Sequence, residues 1–232
     1  MIEYLKQAYR KALSVDNETP RISAFVRRAT AGVERPVVLD VGCGYGRTLR
    51  ALNATGIEAL GIDVNPEIVA HNVRDGLDSC TPEEFRARGM TADVIVMSHV
   101  VEHFEPRRLL GFMDDYLGYL RPGGHLVVVT PLASNRFFDD FDHVKPYQPL
   151  GIAMVYGVGD AQVQYRGKHR LELVDLFFRR SPFAVAFARG LYVRSWTSRW
   201  LQLANLAGAL TFRASGGLIG RTTGWAGLYR KV

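Results

Sequence analysis

Histidines and carboxylates gather in two short segments of this chain. In the first, His99, Glu102 and His103 stand at i, i+3 and i+4. That spacing places all three on one face if a helix starts there. Such a face can bind a metal or hold a base against an orienting acid. In the second, Asp139-Asp140-Phe141-Asp142-His143-Val144-Lys145-Pro146-Tyr147, an acid again adjoins a histidine. Pairs of this kind suit removal of a proton from a hydroxyl. The structural alternative is that Glu102 and His103 cap a helix and that His143 braces a loop.

A third segment is suited to binding. Val38-Leu39-Asp40-Val41-Gly42-Cys43-Gly44-Tyr45-Gly46 is a short apolar run interrupted by an acid, then three glycines at every second position. The apolar run predicts a buried parallel strand, and the glycines predict a tight turn where a ligand lies against bare backbone. Dinucleotide folds favour G-x-G-x-x-G around a pyrophosphate. Here the pattern is G-x-G-x-G behind Asp40. A carboxylate there would repel a pyrophosphate and suits a ligand carrying an ammonium and a sulfonium.

These residues need a frame that brings them to one edge. Residues 1–33 carry apolar positions at helical spacing and predict two helices broken near Asn17–Pro20. Strands are expected at Val37–Val41, Ala59–Asp63, Val94–Ser98 and Leu126–Thr130, with a weakly marked one near Leu77–Cys80. Helices are expected at Arg47–Ala54, from Pro66 to about Arg74, from Thr81 with Pro82 at its first position, and over Pro106–Leu120. Phe137–Pro149 predicts an ordered loop and Pro149–Tyr156 a helix. A sixth strand is expected within Gln162–Phe178, helical material over Ala184–Phe212, and a last strand at Gly224–Lys231. The expected fold is α/β: a Rossmann-like, doubly wound, seven-stranded and mostly parallel sheet with an antiparallel last strand and a helical insertion between the last two strands. We read 1–232 as a single domain: N-terminal helices (1–33), a binding core (35–135), a substrate-side loop, strand six and basic helical insertion (136–223), and a last strand (224–232).

Asp40-Val41-Gly42-Cys43-Gly44-Tyr45-Gly46 resembles motif I of the class I S-adenosylmethionine methyltransferases. Three further segments agree in order and spacing: Leu60–Asn65, Ala92–Phe104 and Leu120–Val129. The resemblance covers roughly residues 35–135 and implies S-adenosylmethionine as cofactor, with S-adenosylhomocysteine as product. It implies that Asp40 anchors the cofactor ammonium and that Gly42, Cys43, Gly44 and Gly46 border its methionine and ribose parts. Asp63 would accept hydrogen bonds from the ribose hydroxyls, and Val64 would lie on the adenine face. The backbone of Ser98 and His99 would border the methionine part. In the related ubiquinone-type O-methyltransferases an acid stands at the position of His99, and a metal role is attached to the set. This chain departs from that pattern, so no metal is expected. The segment around Asp142-His143 resembles one found in methyltransferases of bacterial glycan clusters. His143 is therefore the first candidate base and His103 the second, with Glu102 and Asp142 as the associated acids.

Composition bounds the rest. Only Cys43 and Cys80 are present, with no C-x-x-C pairing, which fits a reduced cytoplasm. The N-terminus shows no apolar signal region. Residues 1–165 carry a net charge of −4 and residues 166–232 a net of +10. The basic, aromatic C-terminal third suggests an anionic partner, either across a helical lid or at the inner face of a membrane. Ser98-His99-Val100-Val101 stands where nucleic-acid amino methyltransferases carry a Pro-Pro-aromatic segment, so nucleic acid is not the expected acceptor. The expected function is O-methylation of a glycan or of a phosphate- or lipid-linked sugar. The alternatives are a quinone-like or phenolic hydroxyl, or a catalytically silent subunit that binds a partner enzyme. The oligomeric state is left open.

Overall fold

The structure is a computed structural model that describes residues 17–134, 136–159, 162–193 and 195–232. The first of the two expected N-terminal helices lies outside the described residues. Among the described residues there are seven strands: β1 (Val38–Val41), β2 (Ala59–Ile62), β3 (Ser79–Cys80), β4 (Ala92–Ser98), β5 (Leu120–Pro131), β6 (Leu171–Ser181) and β7 (Arg221–Lys231). They form one sheet in the order β3-β2-β1-β4-β5-β7-β6. β1 to β5 pair in parallel, and β7 runs antiparallel to β5, with Val128 opposite Gly227. The expected α/β sheet with an antiparallel last strand is the one found.

The helices among the described residues are α1 (Thr19–Ala29), α2 (Arg47–Asn53), α3 (Pro66–Arg74), α4 (Pro82–Arg88), α5 (Pro106–Tyr119), α6 (Pro149–Tyr156), α7 (Arg189–Tyr192) and α8 (Ser198–Ala214). Local chemistry fixes several starts. Thr81 accepts from Glu84 N while the Glu84 carboxylate accepts from Thr81 N, a reciprocal cap with Pro82 behind it. The Asn65 side chain caps α3 at Glu67 N. Two expectations move. The third strand is only two residues long, and β5 starts six residues early because Leu120 pairs with Ala92.

The chain divides into two compact units, one of Asn17 with Phe178–Thr223 and the other of Glu18–Phe177 with Gly224–Val232. In the larger unit the strands send alternate side chains to opposite faces. Leu39, Ile95, Met97, Leu126 and Val128 face α4, α5 and α6, whereas Val38, Val94, Val96, Val127 and Val129 face α1 and α2. A sheet buried on both faces leaves its carboxyl-terminal edge as the place for a ligand. Asp40, Asp63, Ser98 and Thr130 all reach that edge.

Candidate active site

The glycine turn is built as its spacing requires. Gly42, Gly44 and Gly46 have φ of 72°, 50° and 75°, in the left-handed region that L side chains rarely adopt. A Cβ on Gly42 would meet Val100 Cγ2 at 2.5 Å, so this glycine allows the close approach of the loop after β4. A Cβ on Gly44 would meet nothing within 4 Å, so the turn presents bare backbone to open space. From beneath, Asn72 holds the turn: its Nδ2 donates to Gly44 O at 2.8 Å and lies 3.6 Å from Cys43 Sγ. The Cys43 side chain thus points into the core. Burial, then the nearby Asp40 and Asp63 charges, outweigh its hydrogen bonding and push the thiol up to about 12. Only the Cys43 backbone faces the ligand side. Sequence reasoning missed Asn72, whose one signal is a buried polar residue on the inner face of α3.

Asp63 binds this turn from the end of β2. Its Oδ2 accepts from Gly44 N at 3.0 Å and its Oδ1 from Asn65 N at 2.9 Å. Each carboxylate oxygen keeps a second lone pair for a ligand hydroxyl. Val64 follows, 82% exposed. Asp40 is buried at the end of β1, and its Oδ2 has no hydrogen-bond partner among the described residues. Burial lifts its carboxyl to about 7, with Arg47 opposing and Asp63 reinforcing the rise. Ser98 Oγ is likewise buried without a partner.

The His99-Glu102-His103 trio does not form one helical face. Val101–His103 is a short 3-10 turn, and His99 sits at φ 58° ahead of it. Two adjoining clusters result, with Glu102 next to both. In the first, His99 Nδ1 lies 3.0 Å from Glu102 Oε1, and His99 Nε2 lies 2.9 Å from Glu18 Oε1. Burial opposes the charged imidazole, but the hydrogen bonds to Glu102 and Glu18 win and lift it to about 9. His99 is therefore an imidazolium at neutral pH. Glu102 is fully buried; its Oε2 accepts from Thr130 Oγ1 at 3.0 Å, and its backbone carbonyl accepts from Val144 N and Lys145 N. These bonds tie Glu102 to β4, β5 and the 140s loop.

In the second cluster, His103 and His143 meet edge to face, with ring centroids 5.0 Å apart. His103 Nδ1 donates to Asp142 O at 3.1 Å, and His143 Nδ1 donates to Phe137 O at 2.7 Å. A carbonyl only accepts, so each neutral ring keeps its Nε2 lone pair. The expected pairing of His143 with the Asp142 carboxylate is not what forms. Asp142 serves through its backbone carbonyl, because a tight turn points its side chain to solvent. Asp140 Oδ2 lies 3.7 Å from His143 Nε2 instead. The loop is held on Tyr147, whose hydroxyl donates to Phe104 O at 3.0 Å and whose carbonyl accepts from Trp225 Nε1 at 2.9 Å. From Lys145 onward the same segment walls an apolar cavity of about 490 Å³ against α5 and α6. Glu102, His103 and His143 also bring one potential metal-ligand atom each within 4.8 Å, although both Glu102 oxygens already accept hydrogen bonds.

The fold and this edge define a class. Residues 9–180 match a family described as a methyltransferase domain, and the chain belongs to that family. Its fold is that of the class I S-adenosylmethionine-dependent methyltransferases. A SAM-dependent methyltransferase from Archaeoglobus fulgidus superposes with a TM-score of 0.55 at 18% identity, over 92% of this chain and 95% of that one. Among curated proteins, a demethylmenaquinone methyltransferase of Tropheryma whipplei is 29% identical over 152 residues, 61% of this chain and 62% of the relative. A ubiquinone biosynthesis O-methyltransferase of Mesorhizobium japonicum is 32% identical over 111 residues, 44% of each chain. The chain thus spans less than two thirds of the length of these curated relatives. The residues present fit S-adenosylmethionine. The unpartnered buried Asp40 oxygen suits its ammonium, the open face at Gly44 leaves room for it, and Asp63 suits ribose hydroxyls.

Proposed function

We propose that this protein methylates a hydroxyl oxygen, with S-adenosylmethionine as donor and a glycan or lipid-linked sugar as acceptor. The observation that carries the chemistry is the His103–His143 pair, whose two Nε2 atoms remain as bases because both Nδ1–H groups are committed to carbonyls. When bound, S-adenosylmethionine supplies a methyl electrophile on a sulfonium. Asp40, the Gly42–Gly46 turn and Asp63 would hold it. His143 Nε2 takes the hydroxyl proton, and Asp140 stabilises the imidazolium that forms. His103 packs on the ring and limits its rotation.

The acceptor reading draws on the resemblance of the Asp142–Tyr147 segment to glycan-cluster enzymes. The apolar cavity beginning at Lys145, close to His143 along the chain, adds a place for an aliphatic carrier. The names of the curated relatives favour a second reading, a quinone-like or phenolic hydroxyl. Transfer of tritiated methyl to a cell extract, fractionated into saccharide, lipid-linked saccharide, quinone and RNA, separates the two. Label in a saccharide-bearing fraction supports the first reading, and label confined to quinones replaces it with the second.

A further inference from the structure

The smaller unit carries an exposed surface of its own. Residues 178–223 contain seven arginines, no lysine and no acidic residue. The unit has its own small core. On α8, Ala209 and Phe212 are buried, and the ring of Phe212 lies against Gly217 and Gly220. The opposite face of the same helix is apolar and open. Trp200, Leu203, Ala207, Leu210 and Ala214 recur at steps of three and four, which sets them in one stripe, and all are exposed. Trp200 is 68% exposed and Leu210 is 58% exposed. Trp196, four residues before Trp200, is 84% exposed. Arg199 and Arg213 lie along one flank of the stripe. Isolated apolar side chains on a surface mean little, but a continuous stripe is a contact site.

We infer that this unit docks on an anionic lipid bilayer, with α8 lying in the plane of the interface. Charge decides among occupants. A second copy would set the exposed Arg180, Arg189, Arg199 and Arg213 against the same four, which like-charge repulsion opposes. A nucleic acid would match the arginines and leave the tryptophan–leucine stripe in water. A bilayer with anionic headgroups satisfies both, taking the stripe among the acyl chains and the guanidinium groups among the headgroups. No helix among the described residues is long and apolar enough to cross a membrane, so the contact is with the surface. This inference goes beyond the methyl-transfer reading and does not rest on it.

The test is sedimentation of the full chain with vesicles of phosphatidylcholine alone or with phosphatidylglycerol added. We expect binding to the phosphatidylglycerol vesicles that weakens with salt, together with a blue shift of tryptophan emission. The shift would come from Trp196 and Trp200, because Trp225 is already buried. The variant W200S/L203S/L210S should lose roughly tenfold or more in partitioning, since each side chain forfeits its apolar burial. Its melting temperature should hold, because the three side chains are exposed. Arg199→Glu is a second arm that leaves the stripe intact and should also cost roughly tenfold. Failure of the natural chain to sediment would overturn the inference, as would sedimentation of both variants at the level of the natural chain. So would a dimer, or RNA binding, that the stripe variant abolishes while vesicles are ignored.

Discussion

His99 and His103 stand four residues apart in sequence, yet the clusters they join differ in almost every physical respect. His99 lies between the carboxylates of Glu102 and Glu18, is partly buried, and is lifted to about 9. His103 and His143 are hydrogen-bonded through Nδ1 to backbone carbonyls and packed on each other, and the nearest carboxylate oxygen to His143 Nε2, that of Asp140, stands off at 3.7 Å. A carboxylate on each ring nitrogen fixes the charged form, and an imidazolium has no lone pair to offer as a base. A carbonyl on Nδ1 fixes the tautomer and leaves Nε2 available. On the proposed mechanism, the same side chain serves as scaffold in one place and as base in the other because its partners differ.

The largest expected effect tests that division. His143→Ala should lower kcat by about 10²- to 10⁴-fold, the range for loss of a general base. Its calorimetric affinity for S-adenosylmethionine and its melting temperature should change little. Glu102→Ala should do the reverse, acting mainly on stability. It leaves His99 and Thr130 without their buried partner, at a cost of about 3–5 kcal/mol. Thermal denaturation should show a fall of roughly 10 °C. A Glu102→Ala protein that melts like the natural chain would place Glu102 outside the scaffold.

Asp63→Ala bears on the cofactor half of the site. Hydrogen bonds to charged groups contribute about 1.5–3 kcal/mol, so affinity should fall roughly tenfold to a hundredfold by calorimetry. Unchanged affinity removes Asp63 from the ribose position. The smallest effects are in pH. Asp40 has its carboxyl lifted to about 7, so the folded state holds a proton that the unfolded state releases near 4. Cofactor affinity should therefore weaken as pH falls below about 7, and Asp40→Asn should be weak at every pH. His99 has the opposite chemistry. Its folded pKa is raised, so its stabilisation is complete below about 6.5 and is lost as pH rises through about 9. His99→Asn should flatten that decline in the melting temperature.

The inner sheet was legible because β1 and β2 are short apolar runs followed by Gly42 and Asp63, because β4 and the second half of β5 are apolar runs, and because Pro66, Pro82 and Pro106 mark helix starts. The glycine turn was legible because three positive-φ positions at alternate residues leave little choice but glycine. The third strand was only weakly marked and its expected span, Leu77–Cys80, was too long, because a two-residue edge strand paired with β2 alone needs no apolar run of its own. The His99–His103 trio misled because periodicity assumes a regular helix, and the chain leaves β4 through a left-handed His99 and a 3-10 turn instead. Glu18 and Asp140 could not be found as partners, since one is 81 residues from His99 and the other joins His143 through a turn.

The most direct test of the central claim is a single-turnover methyl transfer at saturating S-adenosylmethionine, with the acceptor fraction that the natural chain labels. Rates are compared for the natural chain, His99→Asn and the double variant His103→Ala/His143→Ala. If the carbonyl-paired histidines are the bases, the double variant loses about a hundredfold or more while His99→Asn, assayed well below its melting temperature, keeps most of the rate. A double variant that transfers methyl as fast as the natural chain, or a His99→Asn variant that alone stops transfer, contradicts the assignment.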